Sequence, residues 1–216
     1  MTKRQAIDIM SKCATLYHKY LENYQVVFVY RDSNNNSQFT EVQFKPHNFL
    51  HFTGVIPRKG LSANNFYRFA LNNKLHENDF SFNDTNTCEL KLFVLEIVMY
   101  IDTKARMIGD YNGLKQDLYT EQITGTNSAC LGLIQRNNIY IPNSVLKEDI
   151  RSIVTKPPGK IYAIFKKKIG ASYYTKLTYK KNNIEIIRKC LPKELLSQID
   201  SSILEDNNEK NPPHNP

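Results

Sequence analysis

Apolar residues at the start of the chain recur in steps of three and four: Ala6, Ile9, Met10, Cys13, Leu16, Tyr17, Tyr20, Leu21 and Tyr24. That spacing lays one stripe along a helix, so an amphipathic helix is expected over about 4–24, docked on the protein's own core. The pattern then changes. YQVVFVYR (24–31) and QFTEVQF (38–44) are rich in β-branched and aromatic residues and flank the polar hexapeptide DSNNNS, which reads as a hairpin. Beyond Pro46, NFLHFTGV reads as a further strand, with Phe49, His51 and Thr53 on one face and Leu50 and Phe52 on the other.

Two helices follow in the pattern. Ser62 can cap one striped by Ala63, Phe66, Ala70 and Leu71. Thr87 can cap another striped by Leu90, Phe93, Val94, Ile97, Val98 and Ile101, with Glu89 suiting the dipole of its first turn. In the second half MIGDYN, ACLGLIQ and NIYIP are short apolar segments, and Gly109-Asp110 reads as a turn-like pair. Asn143 or Ser144 can open a short helix through SVLKEDIRSIV, and KPPG reads as a turn. KIYAIFKKK and SYYTKLTYK read as two strands joined by IGA. Pro192 suits the first turn of a last helix, about 192–204, with Leu195, Leu196, Ile199 and Ile203 inward. The expected fold class is α+β: a largely antiparallel sheet with packed helices, including one at each end. A single domain is expected over 1–205. DNNEKNPPHNP, at 206–216, has nothing to bury and is expected to be disordered.

Composition narrows the class. A chain of 216 residues, 41% hydrophobic, can bury a sizeable core without staples. Cys13, Cys88, Cys130 and Cys190 lie far apart with no CxxC, which removes zinc-site and thioredoxin-type spacings and fits free thiols in a reducing cytoplasm. The longest apolar run, LFVLEIVMYI, is too short to span a bilayer and contains Glu96, and the first residues lack a signal-peptide core. No membrane partner is expected. A net charge of +8 favours polyanions.

Candidate chemistry is sparse. On a strand, His51 and Thr53 would lie about 7 Å apart on one side, where a ring that moves protons and a hydroxyl can flank a phosphate. A satisfied core or edge histidine explains the same residues. His47, four residues earlier, would have metal-ligand spacing on a helix, but Pro46 and the alternation favour extended chain there, and no metal is expected. The segment 160–181 interleaves lysines with tyrosines. On strands, Lys176, Thr178 and Lys180 would share a face with Tyr174, a surface able to neutralise phosphates and stack bases, though composition alone favours an ordinary solvated face.

Taken in order, NFLHFTGV, FYRFALNNKL, CELKLFVLEIVMYI, ARMIGDYN, ACLGLIQ, YIPNSVLKEDIR, KIYAIFKKK and YYTKLTY resemble the fourth group of phage-associated barnase–EndoU–colicin–RelE-like nucleases, from about Tyr24 to Lys180. The resemblance implies helices packed on an antiparallel sheet and a metal-independent ribonuclease, without cofactor, acting in the cytoplasm of a bacterial host. His51 and Thr53 match the family's His-hydrophobic-Thr-Gly segment, and Asp110 its Gly-Asp segment. Asp149, Ile150 and Arg151 match a later stretch that reads as structural. Cleavage through the ribose 2′-OH then assigns His51 as acid or base, Thr53 as phosphate donor, and Lys166 and Lys176 as electrostatic stabilisers. Tyr174 becomes a second proton donor or stacking platform. Lys45, Lys160, Lys167, Lys168 and Lys180 are the expected nucleic-acid contacts, with RNA as partner. A non-catalytic module that blocks a host factor, a nucleoprotein or RNA through the same basic surface stays open, as does a toxin-like fold kept for protein inhibition.

Overall fold

The computed structural model describes residues 1–83, 87–114, 118–182 and 187–204. The expected tail, 206–216, lies outside them. Helix α1 (Lys3–Tyr20) opens on a capping box, in which the Thr2 side chain accepts from the Gln5 amide and the Gln5 side chain from the Thr2 amide. Its inward face, Ala6, Met10, Cys13, Ala14 and Tyr17, joins the main core, as the apolar stripe predicts. Strands β1 (Tyr24–Arg31) and β2 (Ser37–Phe44) form the expected hairpin, in register from Tyr24↔Phe44 to Arg31↔Ser37.

The expected strand at 49–55 is a helix. α2 (Asn48–Thr53) begins after Pro46 and stops at Gly54, whose φ of 72° is the left-handed conformation that ends helices. Phe49, Phe52 and Thr53 are fully buried while His51 is exposed. That is a three-and-four repeat, and it prevails over the alternation because both phenylalanine rings pack on Tyr17, at 5.6 and 5.7 Å between centroids. The short strand β3 (Ile56–Pro57) pairs with β4 (Phe80–Ser81), and α3 (Ala63–Leu71) lies between them in sequence with Ser62 as its N-cap.

α4 (Thr87–Val98) is where expected, but turned. It buries Cys88, Leu92, Val94, Leu95 and Val98, leaving Leu90, Phe93 and Ile97 at 50%, 68% and 41% exposure. The one-turn helix α5 (Ile101–Lys104) follows. Strands β5 (Met107–Asp110), β6 (Gln122–Gly125), β7 (Cys130–Arg136) and β8 (Ile139–Leu146) run antiparallel in sequence. Gly109-Asp110 is therefore strand, not turn. The helix expected from Ser144 is absent, because Ser144–Leu146 extend β8 against Cys130–Gly132. Only a 3₁₀ turn at Ile150–Ser152 follows, capped by Asp149, whose carboxylate also grips the Arg151 guanidinium.

β9 (Gly159–Lys168) and β10 (Lys176–Lys180) form the predicted hairpin. β9 also pairs with β1 from Tyr24↔Lys168 to Arg31↔Lys160, and this pairing closes the sheet. β1, β2, β8, β7, β6, β5 and β9 make a seven-stranded barrel with β10 appended, and the seam between β2 and β8 is one parallel pair, Val42↔Tyr140. The fold is thus α+β and largely antiparallel. The final helix is much shorter than expected: α6 (Ile187–Cys190) and α7 (Lys193–Leu196) are single turns. Leu191, Leu195 and Ile199 cover one face of β1 and β9 through Val27, Val29 and Phe165, while Val26 and Phe28 face the helices of the main core. No described helix is long and apolar enough to cross a membrane.

Candidate functional site

His51 lies on the outer face of α2. His47, immediately before α2, already has helical backbone angles, φ −67° and ψ −19°. Positions four apart on a helix are neighbours, so the two imidazoles share a face. His47 is half-buried and His51 exposed. Lys91, one turn into α4, reaches the same place and donates to the His51 carbonyl oxygen at 3.4 Å. Burial lowers the His51 pKa below its ordinary 6.5, and the positive charges of His47 and Lys91 lower it further. Lys91 is also partly buried, and that desolvation lowers its own pKa. Among the described residues no carboxylate pairs with Lys91. Lys45, exposed, directly precedes the Pro46-His47 turn.

The turn after α2 fixes this geometry. The Thr53 hydroxyl donates to Leu50 O at 2.8 Å and accepts from the Val55 amide. Fully buried and engaged on both sides, it has no donor left for a phosphate; it holds the helix end, which corrects the role expected for it. The Cys88 thiol donates to Gly54 O at 2.7 Å, tying this turn to the start of α4. A Cβ on Gly54 would stand 2.8 Å from Lys91 Cδ, so glycine also leaves the lysine its path.

The tyrosine–lysine hairpin makes a separate cluster. Lys166 is 7% exposed, and its ammonium donates to Asp102 at 2.6 Å and to Tyr20 O at 2.9 Å. It is a buried structural ion pair, with the other Asp102 oxygen lacking a hydrogen-bond partner among the described residues. Lys166, Lys168 and Lys176 surround the ring of Tyr24, at 4.7, 3.8 and 5.8 Å from its centroid. Burial opposes ionisation of Tyr24, but the close Lys168 ammonium and the charges of Lys176 and Lys166 outweigh it and lower the phenol's pKa.

The remaining candidate residues scatter. Tyr174 is fully buried in the second core, donating to Glu41 at 2.6 Å. Burial raises its pKa, the Glu41 contact raises it further, and it offers neither an accessible proton nor a stacking face. Lys167 turns to that side, 4.6 Å over the Tyr174 ring. Lys160 sits at the far end of β9, and Lys180 opposite Ala163. The single lysine face with Tyr174 on it is therefore split, since successive strand residues point oppositely and β10 shifts register after Leu177.

The histidine face and the Tyr24 cluster are also distinct. Among the described residues no hydrogen bond, ion pair or ring contact joins His47, His51 or Lys91 to Tyr24 and its lysines, although Tyr24 pairs with Phe44, three residues before His47. The sequence pattern set His47 aside as extended chain and gave no sign of Lys91 or Tyr24. The signal for the first was present: Pro46 and Gly54 bracket a Phe49, Phe52, Thr53 repeat, which marks a helix and makes His47 and His51 neighbours. Among the described residues no group of three or more His, Cys, Asp and Glu side chains is placed to hold a metal ion.

Neither the curated proteins nor the solved structures contain a match to this chain. A family profile does match, over residues 9–183, taking in the second part of α1, the barrel, the histidine face and the Tyr24 cluster. The chain belongs to the phage-Barnase-EndoU-ColicinE5/D-RelE like nuclease4 family.

Proposed function

We propose that this protein is a metal-independent ribonuclease that cleaves RNA by attack of the ribose 2′-oxygen on the adjacent phosphate. The observation that carries the reading is the meeting of His47, His51 and Lys91 on one accessible face. Such a reaction needs a base, an acid and a cation. His51, unprotonated at neutral pH, takes the 2′-OH proton. Lys91, unneutralised by any described carboxylate, faces the charge that grows on the phosphorane oxygens. His47, as the acid, gives a proton to the departing 5′-oxygen. The products are a 2′,3′-cyclic phosphate and a free 5′-hydroxyl. DNA lacks the attacking group and is spared.

The test is incubation of the purified protein with RNA in EDTA, beside His51→Ala and His47→Ala. Each variant is expected to lose about 10²–10⁴-fold in rate, with an unchanged thermal midpoint for the exposed His51. A matching deoxyoligonucleotide is expected to stay intact. Undiminished cleavage by both variants, or equal cleavage of DNA, would sink the reading. RNA binding without cleavage by the wild type would favour the non-catalytic alternative.

A further inference from the structure

Three ammonium groups around one phenol need an explanation. Lys166 and Lys176 are direct cross-strand partners, and Lys168 is the partner of Tyr24. Like charges facing each other across strands are destabilising. Asp102 neutralises Lys166. Nothing does the same for Lys168 and Lys176 among the described residues, and both are exposed. Tyr24, 9% exposed, cannot stack a base, but the Lys168 ammonium lies 3.8 Å from its ring centroid and the surrounding lysines draw its pKa down. The surroundings therefore already stabilise negative charge at this spot.

We propose that Lys168 and Lys176, both close to the Tyr24 ring and backed by the Lys166–Asp102 pair, form a subsite for a backbone phosphate of the RNA strand away from the scissile bond. This rests on RNA being the substrate, as proposed above. A phosphate diester is singly charged, fits between two ammonium groups, and would relieve their repulsion. A strand long enough to reach from the histidine face to this cluster would engage both.

Binding is measured by fluorescence anisotropy with an uncleavable 2′-O-methyl decanucleotide at several salt concentrations, for wild type, Lys168→Ala/Lys176→Ala and His51→Ala. The double variant is expected to bind several-fold more weakly, and its salt slope to flatten by about 1.4, near 0.7 for each lost contact. Its KM for a cleavable decanucleotide should rise by a similar factor. Affinity and slope equal to wild type would overturn the subsite. So would inorganic phosphate displacing the strand at equal phosphate concentration, because the cluster would then be a pocket for free anions. Should the double variant unfold, Lys168→Ala alone repeats the measurement with half the change in slope. The two proposals fail separately: His51→Ala should lose cleavage with full binding, and a wild type that never cleaves can still show the lysine dependence.

Discussion

His51 illustrates how little separates an inert surface histidine from a base. Its ring is accessible, yet burial and the nearby charges of His47 and Lys91 hold its pKa below 6.5. The sign follows directly. The active form is unprotonated, so kcat/KM should rise with pH through the His51 pKa, and the midpoint of that ascending limb should fall below 6.5. Lys91→Met removes a repelling charge, so the limb should move upward while the rate falls. A limb that stays put in Lys91→Met would show that the lysine does not act on His51. Thr53 carries the opposite lesson. Its hydroxyl looked like chemistry in the sequence, but its two hydrogen bonds close a helix end.

At the scale of elements, period decided most of what was legible. The β1–β2 and β9–β10 hairpins, α1 and α3 could be read because a long run of one period leaves no competing phase. α2 could not, since its few residues satisfy both an alternation and a three-and-four repeat, and only packing on Tyr17 chooses. α4 was found as a helix with its face misjudged, because apolar residues surround it. Leu92 is 2% exposed and Phe93 68%, with the Lys147 ammonium lying 3.9 Å over the Phe93 ring. Leu92→Ala should therefore cost about 2–5 kcal/mol, whereas Phe93→Ser should stay within about 0.5 kcal/mol. Urea unfolding of the two variants checks the helical phase, and the reverse order would contradict it.

The whole molecule was legible in class but not in closure. An antiparallel sheet with helices follows from the segments, but the β1–β9 pairing joins the first strand to one near the other end of the chain, and no local pattern announces such a contact. For the same reason Tyr24 could not be linked to its lysines. The Lys166–Asp102 pair is where this long-range architecture is pinned, tying the closing strand to α5. Lys166→Met leaves Asp102 buried without a cation and should cost about 3–5 kcal/mol. Adding Asp102→Leu should restore most of that, as replacing both members with apolar side chains often does. A single variant as stable as wild type in denaturant titration would show that the pair contributes nothing.

Closure also decides where the molecule is vulnerable. Each of the seven strands in the ring has a neighbour on both sides, so the outer flank of β10 is the principal exposed border of the large sheet among the described residues. An uncovered border of that kind is a template on which a second chain can add its own strand. β10 begins with Lys176 and ends with Lys180, both in solvent. Mutual repulsion between two such borders discourages stacking of one barrel onto another, so Lys176, proposed to hold RNA, would with Lys180 also keep the protein dispersed. Replacing both with threonine should leave each barrel intact but produce concentration-dependent assembly, visible as rising light scattering at concentrations where the wild type stays clear.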